Sequence, residues 1–84
     1  MNSKVSTIII ERRGSQREVT DNIQGLIGYF AYTLSVGQSY ENERGNSKIN
    51  TEPKTAKSLV SNLNKAKRNS ASNGEPDTYY RLKE

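Results

Sequence analysis

Lys54, Lys57, Ser61, Lys65 and Arg68 follow one another at intervals of 3, 4, 4 and 3 residues. On an α-helix those intervals bring all five side chains to one side. The chemistry such a stripe carries is ion pairing and hydrogen bonding to anions: carboxylates on an acidic protein surface, or the phosphates of DNA or RNA. Four cations along about 21 Å of helix make only a few phosphate contacts, which suits weak, salt-sensitive, sequence-independent binding better than base readout.

The sign of the stripe is informative. Residues 53–74 contain five basic residues and no acid, whereas the rest of the chain has eight basic and nine acidic residues. The net charge of +4 therefore arises in this one segment. A helix face selected for stability mixes Glu with Lys at i, i+4. Lys54 and Lys57 also fall at the positive end of the helix dipole, where cations are mildly unfavourable. A plain solvated face is the competing explanation, and it accounts for the charge but not for its single sign.

The groups that enzymes use are missing. The chain has no histidine and no cysteine, so it lacks the usual general base, the neutral metal ligand, the thiolate and the disulfide. Its serines have no base to activate them. The pairs Glu41/Glu43 and Glu75/Asp77 sit in polar stretches, and Asp77 with Lys83 is too little for a metal-dependent nuclease. The six glycines form no phosphate-binding loop. The expectation is a non-enzyme with no catalytic, cofactor-binding or metal-ligating residue.

The elements that position the stripe follow from periodicity. Residues 53 to about 72 read as one amphipathic helix, with Thr51 or Glu52 as its entry and Pro53 at its first position. Ala56, Leu59, Val60, Leu63, Ala66 and Ser70 make its apolar side, and Lys67 snorkels beside it. Asn73-Gly74 provides a left-handed exit and Pro76 prevents continuation. Residues 5–13, rich in β-branched side chains and stopped by Gly14, read as a strand, with Ile8 and Ile10 on one face and Ile9 on the other. Residues 14–21 read as a turn leading into an irregular or strand-like stretch. Residues 78–83 form a last strand, with Tyr80 and Leu82 on one face and Tyr79 and Arg81 on the other.

Residues 23–40 support two readings. As a helix, Ile23, Leu26, Ile27, Phe30 and Leu34 line up, with Asp21 or Asn22 as cap and Gly37 as stop. As a strand, Leu26, Phe30, Tyr32, Leu34, Val36 and Tyr40 share a face. Internal Gly25 and Gly28 cost a helix about 1 kcal/mol each relative to Ala, and the aromatic and β-branched composition suits a strand, so the strand is preferred. Residues 41–51 are then a polar loop turning at Arg44-Gly45-Asn46, with a brief hairpin arm at 47–51.

The whole is expected to be a single small α+β domain over residues 1–84. It has a small antiparallel sheet of three to four strands and one amphipathic helix packed on a face, in the order β-β-(β)-α-β. One helix leaves the other sheet face open. On that face Ile27, Tyr29, Ala31 and Thr33, with Ile9 or its neighbours and one of Tyr79 or Tyr80, form a second candidate contact surface, for a partner or a second copy of the chain. Tyrosines beside Arg81 also have the chemistry to stack bases. The candidate partner-binding residues are thus Lys54, Lys57, Ser61, Lys65, Arg68, Tyr29, Tyr79 and Arg81.

Ile8-Ile9-Ile10 is far too short an apolar run for a membrane span or a signal-peptide core. With no cysteine, this favours a soluble, cytoplasmic protein without membrane contact. The small size, basic bias and lack of catalytic groups resemble the composition of accessory proteins of phages and mobile elements. Several of those, anti-CRISPR proteins among them, bind and block host machinery. The expected function is occupation of a surface on a partner protein or nucleoprotein complex through the basic helix. A direct nucleic-acid-binding module and a structural homo-oligomer subunit are the alternatives.

Overall fold

The computed structural model describes residues 4–44, 49–71 and 75–83. Strand β1 (Ser6–Arg12) turns through Arg13-Gly14 into β2 (Ser15–Asp21). Both turn residues have positive φ, 41° and 83°, the type I′ geometry that matches the twist of a two-residue hairpin. The polar stretch after Gly14 is thus a regular strand. The last strand, β3 (Thr78–Lys83), lies antiparallel on the other side of β1, giving the order β2-β1-β3. The most apolar strand takes the centre. Ile8 is fully buried and Ile10 packs against the core, while Ile9 faces the other way.

Residues 23–29 and 31–44 are helical, which overturns the strand preferred from sequence for residues 23–40. Helix α1 (Ile23–Tyr29) is capped by the Asn22 side chain, which accepts from the Gly25 N–H at 2.8 Å. Helix α2 (Ala31–Arg44) follows directly after Phe30, and the Leu34 N–H still donates to the Phe30 carbonyl at 3.1 Å. Leu26, Phe30 and Leu34 recur at i, i+4, i+8 and are all buried. Packing outweighs local composition here. Gly37 is no helix stop: it lies mid-helix against helix α3 (Ala56–Ser70), where an added Cβ would come within 2.7 Å of the Ala66 Cα. Glycine permits the close approach. Ile27, Tyr29, Ala31 and Thr33 accordingly form no sheet face.

The expected polar loop is also shorter. Glu41 is helical and buried, Arg44 ends α2, and Ile49 is buried in the core. The rest of the expected turn, residues 45 and 46, lies outside the described residues, as do 47 and 48 of the proposed hairpin arm. Residues 49–51 are not strand.

Helix α3 starts three residues later than expected. Thr55 is its N-cap, accepting from the Ser58 N–H at 3.1 Å. Pro53 is buried ahead of the helix instead of opening it. The expected exit at Asn73-Gly74 lies outside the described residues; Ala71 caps the helix.

One core joins all six elements. Ile8, Leu26, Phe30, Leu34, Leu59, Leu63 and Tyr80 belong to it, and Val19 packs at its margin. Tyr80 meets Phe30 edge to face at 5.6 Å. The molecule is α+β, an antiparallel sheet with three helices packed on it.

Two glycines test this packing in opposite directions. Gly37→Ala is expected to destabilise by about 1–3 kcal/mol through overpacking against Ala66. A Cβ at Gly28 meets nothing within 4 Å, so Gly28→Ala should gain up to about 1 kcal/mol. Urea midpoints of both variants check the pair.

Burial pushes the Tyr80 phenol above the ordinary value near 10, against an opposing hydrogen bond from Thr33. A raised folded value means a stabilising contribution that is complete below the unfolded phenol pKa and lost as pH rises through the folded one. Stability should therefore fall in alkali above about pH 10, and Tyr80→Phe should remove that component from denaturation curves taken across pH.

Candidate functional site

The orientation of α3 about its own axis decides which cations reach solvent. Leu59, Leu63 and Ala66 point into the core. On one flank the Asn64 side chain donates to the Tyr80 carbonyl at 2.9 Å and accepts from the Tyr80 N–H at 2.8 Å. On the other flank the Asn69 amide donates to Glu41 Oε1 at 2.5 Å, and Lys65 Nζ stands 3.9 Å from the same oxygen. Between these clamps Lys57, Ser61 and Arg68 face outward and are exposed. Lys54 is exposed too, but it precedes the helix instead of lying on it.

Lys65 therefore departs from the expected stripe. It is half-buried and faces a carboxylate that is 2 % exposed. Glu41 Oε2 is buried without a hydrogen-bond partner among the described residues, which makes the nearby ammonium important to the carboxylate. Lys65 acts in holding α2 to α3.

The positive surface instead continues at the C-terminal end of α3, through residues sequence reasoning had not selected. Lys67 and Arg13 line one cleft of about 360 Å³ together with Ser70, Glu75 and Asp77. Arg12 reaches Asp77 at 3.5 Å. The Thr78 hydroxyl lowers the Asp77 pKa, and the charges of Arg12, Lys67 and Arg13 lower it further. An Arg13 backbone at φ 41° is unusual for a side chain other than Gly, Asn or Asp. Sequence reasoning placed Arg13 as the last residue of the first strand, stopped by Gly14; its place in the turn and beside Lys67 depends on how the strands and α3 come together.

Tyr79 and Arg81 lie on the opposite sheet face from the helices. Arg81 pairs with Glu11 at 2.8 Å, and Lys83 on β3 reaches over β1 to Glu18 on β2 at 3.2 Å. In the sheet register Ile9 sits opposite both Glu18 and Arg81, and it is only 3 % exposed. The face expected to be apolar is thus roofed by ion pairs, with Tyr79 exposed at its margin. Tyr29 is exposed at the end of α1, edge-on to Phe30 at 4.9 Å. The helix residues and the pair Tyr79/Arg81 do not converge on one surface. Tyr32, 81 % exposed, was missed because the strand reading turned it inward.

Comparison with known proteins gave no matching family model, no similar curated protein and no similar solved structure. Among the described residues no group of acidic, histidine or cysteine side chains is arranged to hold a metal ion, and no helix is long and apolar enough to cross a membrane.

The two kinds of α3 cation separate by mutation. Lys65→Ala should cost about 1–2 kcal/mol, less than a fully buried pair because Lys65 is partly solvated. Lys57→Ala and Arg68→Ala should stay within about 0.5 kcal/mol of wild type. In the double variant Glu41→Leu/Lys65→Met most of the loss should return, since no buried charge is left unpaired. Denaturant unfolding of the four proteins makes the comparison.

Proposed function

We propose that this chain is a non-enzymatic binding protein that acts by occupying an acidic surface of a partner protein or nucleoprotein complex. Its principal contact is the outward strip of α3, Lys57, Ser61 and Arg68, extended by Lys54 at one end. The observation that carries this reading is the distribution of ion pairs. Glu11, Glu18, Glu41 and Asp77 pair with Arg81, Lys83, Lys65 and Arg12, while Lys54, Lys57 and Arg68 pair with no described residue. Unpaired, exposed cations of one sign are suited to electrostatic complementarity with a partner.

Blocking by occupation needs no catalytic group, which agrees with a chain free of histidine and cysteine. It is also the mode of action of the phage and mobile-element inhibitors that the composition resembles, and a cytoplasmic site of action belongs to the same proposal. A direct nucleic-acid-binding role is the second reading. Lys67 and Arg13 favour it by lengthening the positive track, whereas Glu75 and Asp77 in the same cleft oppose a phosphate.

Recovery of partners from cells that naturally express the protein, with wild type and Lys57→Glu/Arg68→Glu as baits, tests the proposal. The double variant should lose the partner while its unfolding midpoint stays close to wild type. Equal recovery of the same proteins by both baits reduces the strip to a solvated face. Gel shifts across a salt series run in parallel: DNA or RNA binding that falls steeply with salt moves the assignment to the second reading.

A further inference from the structure

A three-stranded sheet has two edges, and this chain treats them differently. Arg12 and Ser15 flank the two-residue turn as a hydrogen-bonded pair, so Ser15, Arg17, Val19 and Asp21 direct their backbone groups to β1. Gln16, Glu18 and Thr20 direct theirs outward. By the same alternation Thr78, Tyr80 and Leu82 face outward from β3. There the Asn64 amide takes both the N–H and the C=O of Tyr80, as a neighbouring strand would. Nothing comparable happens at β2. No described residue bonds to the backbone of Gln16, Glu18 or Thr20, and six of the seven β2 residues are exposed. The strand is paired with β1 along its whole length, without bulge or proline. Such an edge is a template for another strand.

We propose that β2 is a self-pairing edge, at which two copies of this chain join antiparallel about a two-fold axis through Val19 to form a six-stranded sheet. Symmetry and side-chain alternation require the axis to pass through a residue. An axis through Glu18 sets two carboxylates against each other, and one through Arg17 sets two guanidinium groups against each other. The Val19 axis sets Val19 against Val19 and places each Arg17 opposite Asp21 of the second copy. These are the positions of closest side-chain approach, and opposite charges there are favourable. Arg17 has no ion pair to a described residue. Asp21 uses one oxygen on the Asn22 N–H at 2.7 Å and retains capacity for a cation. The same register joins the outward groups of Glu18 to those of Thr20 in the second copy, for about four main-chain hydrogen bonds. Because the axis is perpendicular to the sheet, both helical layers lie on one side. The dimer therefore displays two α3 strips in the same direction, an arrangement that supports bivalent contact.

Sedimentation equilibrium of the full chain from micromolar to millimolar concentration tests this independently of any partner. Wild type should dimerise with rising concentration, and the Glu18 and Thr20 amides should become protected from hydrogen exchange as it does. Arg17→Asp and Asp21→Arg should each weaken dimerisation about tenfold or more, and the double swap Arg17→Asp/Asp21→Arg should restore it. Circular dichroism confirms that each variant is folded. A wild type that remains monomeric at millimolar concentration overturns the proposal. So does a dimer that Arg17→Asp leaves intact or that leaves those two amides unprotected.

Discussion

Helix α3 depends on how closely α2 lies against it. At Gly37 and Ala66 no side chain larger than a methyl separates the two helices. That approach brings Glu41, one turn further along α2, to the flank of α3, where Asn69 and Lys65 meet it. The opposite flank is held by the two hydrogen bonds between Asn64 and the Tyr80 backbone. A helix fixed on both flanks cannot roll. What it shows to solvent is therefore a narrow strip, and Lys65 is drawn out of that strip although its spacing assigns it there.

The two sheet faces are protected by different physics. The helices bury Ile8 and Tyr80, and partly cover Ile10, by apolar packing. Ile9 has no helix over it and is covered instead by the aliphatic stems of long charged side chains whose ends pair across the strands. Ion pairs this exposed add little stability individually. Their larger effect is on composition: acids occupied over Ile9 are unavailable to neutralise α3 on the far side of the molecule.

Part of this was legible in the sequence. The alternation in residues 78–83, the Ile triplet and the stripe of Leu59, Leu63 and Ala66 each report a local period that the structure keeps. Residues 23–40 were misread because Gly25 and Gly28 count against a helix on propensity alone, and Gly37, read as a helix stop, is explained only by a contact 29 residues away at Ala66. The candidate site divides in the same way. Lys57 and Arg68 follow from helical period, whereas the pairing of Lys65 with Glu41 and the approach of Arg13 to Lys67 require elements distant in sequence to meet.

The central position of β1 also orders the chain in time. Its pairing with β2 closes through two residues and is available as soon as the hairpin forms. Its pairing with β3 joins Arg12 to Thr78 and Thr7 to Lys83, contacts of very long sequence separation that form slowly. Without β3 the isoleucine-rich strand has an unpaired edge, the kind of exposed edge that favours association with other chains. Asn64 serves that strand in two ways: its amide ties β3 to α3 and occupies the outward backbone groups of Tyr80 at the middle of the β3 edge.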